Sequence, residues 1–357
     1  MQRYSSSIGR PAAVAAGLAA ALVACSDNSA TNPVLPTAYA ETKLVANVAA
    51  LGASIVDPNL ANPWGLAFSP TGVLWVSDNH SGTATLYDAA GAKLPLVVTI
   101  PPGAGATRGA PTGVVFNPTT DFVIPGSSQA LFIFAGEDGT ISAWNQSTGT
   151  SARLVADRSS RDAVYKGVAM APNGGANFLY ATNFKQNAVD VFDRTFKFMS
   201  SFTDSTVPAG YAPFGIHTIG GQLYVTFAKQ KAPDNEDDQP GAGNGYVDVF
   251  NADGTRSKRF VSRGRLNAPW AVVTAPSSFG SAGGDILIGN FGDGLIGAYD
   301  AATGSFRGFL RDSTNASITI EGLWDLTFGV GAASTTLYFS AGPNDENDGL
   351  VGTLTAK

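Results

Sequence analysis

Apolar and polar positions alternate along most of the chain in short runs, each bounded by Gly, Pro, Asn or Asp. A period of two is the pattern of half-buried β-strands. The runs recur in a longer order. A phrase made of a Pro or small residue, an aromatic residue, Gly and then alternating apolar residues appears at 62–68, 110–116, 164–170, 212–218, 268–274 and, more loosely, 322–328. The central positions of these copies are 65, 113, 167, 215, 271 and 325, so the spacing runs from 48 to 56 residues. A second run follows each phrase (Leu74-Trp-Val-Ser77, Gln222-Leu-Tyr-Val-Thr226). Then come a third (Thr83-Ala-Thr-Leu-Tyr-Asp88, Gly245-Tyr-Val-Asp-Val-Phe250), a turn, and a fourth (Leu94-Pro-Leu-Val-Val98, Arg259-Phe-Val261). Four strands in a repeat of this length make a propeller blade, and six copies predict an all-β, six-bladed β-propeller of four-stranded blades. The sixth copy stops after its third strand. The run Lys43-Leu-Val-Ala-Asn-Val48, which matches Arg153-Leu-Val-Ala156 of the second copy, is expected to supply the missing strand and close the ring. A β-helix or a sandwich is the alternative, and neither explains the repeat length.

Composition narrows the class further. The chain of 357 residues has 42 Gly and 20 Pro, too many for a helical bundle, and its 44% hydrophobic and 14% charged residues exclude disorder. A net charge of −6 argues against nucleic acid as a partner, because phosphate binding needs a basic footprint. The single cysteine rules out an internal disulfide and a Cys-clustered zinc site.

That cysteine has a particular place. Arg3 and Arg10 precede an unbroken small or apolar run over 12–24. Such a run is too short to span a bilayer, which takes about 20 helical residues, and it fits the apolar region of a secretory signal. It ends in Leu22-Val23-Ala24-Cys25, which resembles the lipobox of bacterial lipoproteins. The resemblance implies cleavage before Cys25 and acylation of its thiol. Residues 1–24 are then the signal peptide, 25–41 a flexible tether rich in Ser, Thr, Asn, Pro and Ala, and 42–357 the propeller. The expected partner is a membrane reached through lipidated Cys25, and the expected location is the bacterial cell envelope. Ser26, in place of a retaining aspartate, favours the outer membrane. An ordinary secreted protein with a chance cysteine is the alternative. Ala38-Tyr39-Ala40 mimics a signal-peptidase site but lies too far from the apolar run.

The opening phrase, together with Val76-Ser-Asp-Asn79 and Tyr87-Asp-Ala-Ala-Gly91, resembles the NHL family of six-bladed propellers over residues 43–357. More closely, the chain is similar to exported bacterial NHL-type propellers, some of which end in a Pro-Glu-Pro sorting tail that is missing here. The resemblance implies a fold and leaves the function open.

Propeller topology puts the loops between second and third strands on the same face as the blade-linking loops. Asp78, Asn79, His80, Glu137, Asp138, Asn183, Asn290, Asp293 and the acidic stretches 234–238 and 344–348 fall on that face, with Arg108, Arg161, Arg265 and Arg311 in the linking loops. A ring of carboxylates and amides around a channel suits a hard cation, and calcium takes six to eight such oxygens. The candidate metal ligands are Asp78, Asn183, Asn290 and Glu321. The same residues with His217, on the innermost strand of blade four, are the candidate ligand contacts. The competing and preferred readings are structural: turn capping by Asp78, Asn183 and Asn290, solvated acidic loops, a satisfied buried His217, and core packing for Trp64, Trp270 and Trp324. Glu321-Gly322 invites comparison with the calcium-dependent lactonases of the gluconolactonase and paraoxonase type, in which a channel metal polarises an ester carbonyl. No Gly-x-Ser-x-Gly elbow or phosphate loop occurs, and no catalytic residue is assigned. The expected function is therefore a lipid-anchored binding or interaction module for a protein or carbohydrate. A calcium-dependent lactonase or esterase-like hydrolase is the alternative. A closed ring leaves no edge that demands an oligomer, so a monomer is expected.

Overall fold

The computed structural model describes residues 33–357; the expected signal peptide and Cys25 lie outside the described residues. Six antiparallel sheets stand around a channel. Blade one spans 63–99, blade two 111–157, blade three 165–202, blade four 211–262 and blade five 269–309, each with its strands in chain order from the channel outward. Blade six takes Leu323–Phe328, Leu337–Ala341 and Leu350–Ala356 from the C-terminal end. Its fourth strand is Tyr39–Ala46, antiparallel to Leu350–Ala356 with Tyr39 opposite Ala356, and Ile55–Val56 adds a short parallel fifth.

The closing strand therefore starts at Tyr39, ahead of the run read from the sequence, and the expected tether boundary at residue 42 moves. Residues from Pro33 onward belong to the propeller unit. Leu35 is buried, Thr37 and Ser281 exchange hydrogen bonds at 3.1 and 2.9 Å, and the Tyr39 ring lies 4.8 Å from that of Phe279. A stretch of small and polar residues reads as a linker when its partners are some 240 residues away.

The repeated phrase has one structural job in every blade. First and second strands slip register by a residue around it, for example between Pro63 and Leu66, Pro213 and Ile216, and Leu323 and Leu326. A slip of this kind is a β-bulge, which bends the strand and re-aims a side chain. The glycine after the re-aimed residue lets neighbouring innermost strands approach. A Cβ on Gly113 would sit 2.5 Å from the Val168 amide nitrogen, and one on Gly215 would run into the Trp270 carbonyl. Gly215→Ala is therefore expected to lower stability by about 1–3 kcal/mol through overpacking, read as a lower thermal midpoint by circular dichroism. A midpoint equal to that of the unmodified protein would show that the ring can breathe there.

Between blades the facing sheets bury alternating apolar residues. Trp75 of blade one stacks on Phe132 of blade two at 4.0 Å, and Tyr211 meets Tyr246 edge to face at 5.0 Å within blade four.

Candidate functional site

The residue that each bulge re-aims is Trp64, Thr112, Lys166, Phe214, Trp270 or Trp324, in blade order. Three of them form an indole layer across the channel. Trp64 stacks on Trp324 with centroids 3.5 Å apart, and Trp270 stands edge-on to both at 6.5 and 6.1 Å. Phe291 stacks on Trp324 at 4.1 Å and Phe214 tilts against it at 5.9 Å. The indole N–H of Trp270 donates to the Lys166 carbonyl at 2.9 Å, and that of Trp324 donates to Asn62 Oδ1 at 3.0 Å. The cavities on the two sides of this layer share no lining residue.

The larger of these two cavities, about 620 Å³, opens on the face of the second-to-third-strand loops and lies within the usual range for ligand sites. Trp64, Trp324 and Phe291 form its floor. Its walls carry Glu137 from blade two, Asp237 and Asp238 from blade four, and Glu321, Asp345 and Glu346 from blade six, against Lys166 and Lys231.

Lys166 is the centre of the mouth. It stands on the innermost strand of blade three, is only 3% exposed, and holds its ammonium 5.3 Å from the centre of the Trp64 ring. Its Nζ donates to Glu137 Oε1 at 2.5 Å and to Asp237 Oδ1 at 3.5 Å. Asn79 Nδ2 donates to the other oxygen of Glu137 at 2.8 Å. Burial alone would raise Glu137, but the Lys166 ammonium and the Asn79 amide outweigh it and hold the carboxyl below its usual range. Burial likewise opposes the charge on Lys166, and Glu137 reverses that, leaving the amine above its usual value. Glu346 differs. It accepts from Asn62 Nδ2 at 2.7 Å, and burial dominates and raises it. Burial also pushes Asp238 up to about 7, and its Oδ2 has no hydrogen-bond partner. The mouth thus contains one close charge pair, Lys166 and Glu137, and further carboxyls that outnumber the second cation, Lys231.

The insert at 230–241 that delivers Asp237 and Asp238 is tied down on both sides. Lys185 of blade three reaches Glu236 at 2.7 Å, and the amide of Gly241 donates to Asn267 Oδ1 at 2.6 Å.

The residues singled out as metal or ligand contacts are not gathered in one place. Asp78 accepts from Thr83 and Thr85 hydroxyls, each at 3.2 Å. Asn183 accepts from the Val164 amide at 3.2 Å and donates to Asp190 at 3.3 Å. Asn290 accepts from the Asn267 amide at 3.2 Å and donates to the Arg265 carbonyl at 2.8 Å. Each is buried; Asp78 spends its side chain inside its own blade, and the two asparagines staple the linking segment that precedes their blade to its second strand. Glu321 lines the mouth, exposed, and accepts from the Asn344 amide at 2.9 Å. His217 lies beyond the indole layer, in the other cavity. Among the described residues, no three His, Cys, Asp or Glu side chains are grouped so as to hold a metal ion. The acidic stretches 234–238 and 344–348, first read as solvated loops, are the ones that reach the mouth.

Sequence reasoning missed Lys166 and Asn62. The signal for Lys166 was present: it occupies a slot that four other copies fill with Trp or Phe.

Asp325 marks the same kind of exception one position later, where four copies have Gly. Its carboxylate accepts from the Leu66 amide at 2.8 Å and from its neighbour Leu326 at 2.7 Å, bonding blade six to blade one. Burial raises it to about 7 against those two bonds. A carboxyl whose folded value is raised contributes stability below its unfolded value and loses it as pH rises through the folded value. The part of the stability that depends on Asp325 is therefore expected to fall between pH 4 and 7. Urea unfolding at both pH values, compared with Asp325→Asn, checks this; an identical pH slope in the variant would contradict it.

No family model matches the chain. Two uncharacterised proteins of Acanthamoeba polyphaga mimivirus are similar to it over most of its length. One is 32% identical over 314 residues, covering 85% of this chain and 76% of the relative. The other is 34% identical over 313 residues, covering 84% and 81%. Among solved structures, a streptogramin B lyase superposes with a TM-score of 0.52 at 13% identity, covering 90% of this chain and 98% of that one. A protein of unknown function from Bacteroides thetaiotaomicron gives 0.53 at 13%, covering 84% and 70%. These structural likenesses concern the propeller fold. The identity and coverage of the two viral proteins go further, and this chain belongs to the family that they represent.

Proposed function

We propose that this propeller is a binding module whose acidic mouth receives a basic segment of a partner protein, one Lys or Arg side chain reaching the aromatic floor. The observation that supports this most is the imbalance of the mouth. Lys166 and Glu137 pair with each other, while Asp237, Asp238, Glu321, Asp345 and Glu346 outnumber Lys231 around a cavity of about 620 Å³ with Phe291 partly exposed at its base. A cation placed there gains carboxylate partners in a sheltered site and the face of an aromatic ring. A carbohydrate ligand uses the same floor but leaves the excess negative charge unanswered. The hydrolase alternative has little support: the indole layer fills the channel, and Asp78, Asn183 and Asn290 are engaged by their own blades and the linking segments beside them.

Placement of the module at a bacterial-type envelope, through an NHL-like exported chain lipidated at Cys25, belongs to the same proposal and rests on the lipobox-like tetrad. Cys25→Ser is expected to move the protein from the membrane fraction to the soluble one.

The mouth is tested by calorimetry with a tetra-arginine peptide and a tetraglutamate peptide. The arginine peptide is expected to bind, more weakly as salt is raised. Asp238→Asn with Glu346→Gln is expected to weaken it at least about fivefold. Equal binding of the two peptides, or an unchanged affinity in the double variant, overturns the reading.

A further inference from the structure

Blade two carries a cavity of about 480 Å³ at its outer rim, away from the second-to-third-strand loops that form the acidic mouth. Residues 117–131, the longest of the six connections between first and second strands, bring Pro125, Gly126 and Ser127 to it. The turn after the third strand brings Ser147 and Thr148, and the outer strand Arg153–Asp157 brings Arg153 and Leu154. The long loop is anchored. Its Phe122 and Ile124 are buried, and the Phe122 ring lies 5.4 Å from that of Phe196 in blade three.

Arg153 is an exception among the cations of the outer strands. Lys93 pairs with Asp57 at 2.6 Å, and Arg256 and Arg307 pair with Asp204 and Asp285, each at 3.4 Å. Arg259 pairs with Asp204 at 2.8 Å and with Asp248. Lys43 and Lys258 donate to the carbonyls of Leu51 and Ala302, each at 3.2 Å. Arg153 is exposed, lines the cavity, and has no hydrogen-bond or ion-pair partner among the described residues.

The hydroxyls beside it are held by one buried residue, Asn145. Its amide nitrogen donates to Ser127 Oγ at 3.0 Å, and its Oδ1 accepts from Ser147 Oγ at 2.8 Å. With that proton committed, Ser127 is the donor in the 2.6 Å contact between the two serine hydroxyls. Thr148 Oγ1 donates to the Asn145 carbonyl at 2.8 Å. All three hydroxyl protons are thus used within the blade, and what the oxygens still offer is lone pairs. Pro125 and Leu154, the latter 41% exposed, add an apolar wall.

We propose that this cavity is a second binding site, separate from the mouth, for an acidic sugar. A hexuronate ring brings a carboxylate for the Arg153 guanidinium, hydroxyl protons for the serine and threonine oxygens, and a C–H face for Pro125 and Leu154. A bare anion answers Arg153 alone, and a neutral sugar leaves it without a counter-charge. The space is that of a small-ligand pocket. The site does not depend on what the mouth binds.

The test titrates the protein with D-glucuronate, D-glucose and acetate and follows the backbone amide NMR signals of Gly126 and Ser147. Glucuronate is expected to shift both signals and to bind about tenfold more tightly than glucose or acetate, the effect of one charge-assisted contact added to the ring. In Arg153→Gln the affinity for glucuronate is expected to fall to that for glucose. Arg153 holds no other part of the fold, so this variant is expected to keep the thermal midpoint of the unmodified protein. Asp238→Asn with Glu346→Gln, which alters the mouth, is expected to bind glucuronate unchanged. Unmoved Gly126 and Ser147 signals, acetate binding as tightly as glucuronate, a preference that survives in Arg153→Gln, or a loss in the mouth variant overturns the proposal.

Discussion

Deleting residues 33–46 is expected to abolish the single cooperative unfolding transition. The deletion removes the outer strand of blade six and leaves the edge of Leu350–Ala356 unpaired along the length now matched by Tyr39–Ala46. It also removes buried Leu35, Tyr39, Val45 and Ala46, and with Tyr39 the hydrogen bonds that hold the 280–282 turn. A sheet edge with an apolar face is a template for association, so the truncated chain should aggregate as well as melt early. Differential scanning calorimetry with light scattering reads both effects. A sharp transition within a few degrees of that of the full chain would mean that the ring stands without its clasp.

Lys166→Met should cost about 3 kcal/mol at pH 7, because it leaves Glu137 as a sheltered carboxylate without its cation. The expected cost is at the low end for a broken buried pair, since the Glu137 side chain is 27% exposed and water can reach part of it. The sign of the pH effect is fixed. Glu137 is held below its usual value in the folded protein, so the pair contributes stability above about pH 4 and loses it as pH falls through the folded value. The difference between Lys166→Met and the unmodified protein should therefore narrow in acid. Urea unfolding at pH 7 and pH 4 measures it. Lys166→Met with Glu137→Gln should recover most of the loss, which separates an orphaned charge from lost packing. A single variant as stable as the unmodified protein would take Lys166 out of the centre of the mouth.

The blades were legible because each announces itself locally. The Pro-aromatic-Gly phrase produces a bulge, and the alternating runs after it produce an antiparallel meander. Ring closure by the N-terminal segment was also legible, since a sixth copy without a fourth strand needs one from elsewhere. The start of that strand was not. Tyr39 and Thr37 are ordered by Phe279 and Ser281, and no pattern within 33–41 reveals such distant partners.

The candidate site was legible by face and not by residue. Glu137, Asn79 and the stretches 234–238 and 344–348 were assigned to the right set of loops, because loop order fixes the face. Asp78, Asn183 and Asn290 belong to the same loops by sequence, yet Asp78 turns to the hydroxyls of the next strand and the two asparagines turn to the backbone of the linking segment about twenty residues earlier. Lys166 was not singled out, although it stands where four other copies carry Trp or Phe. Its burial depends on Glu137 from one neighbouring blade and Asp237 from another.

The pairing of the first described strand with the last also bears on how fast the chain folds. Gly349 bonds to Asn47 across 302 residues, so the first strand lacks its antiparallel partner until nearly all the others have been made and placed. Contacts of this separation slow the search for the native state. The two ends nevertheless finish side by side, with the Lys357 amide on the Ala38 carbonyl at 3.0 Å. A circular permutant that joins Lys357 to Pro33 through a short linker and opens the chain at the Thr71–Gly72 turn would convert that long-range pairing into a hairpin. It should refold faster than the natural order while unfolding at nearly the same rate.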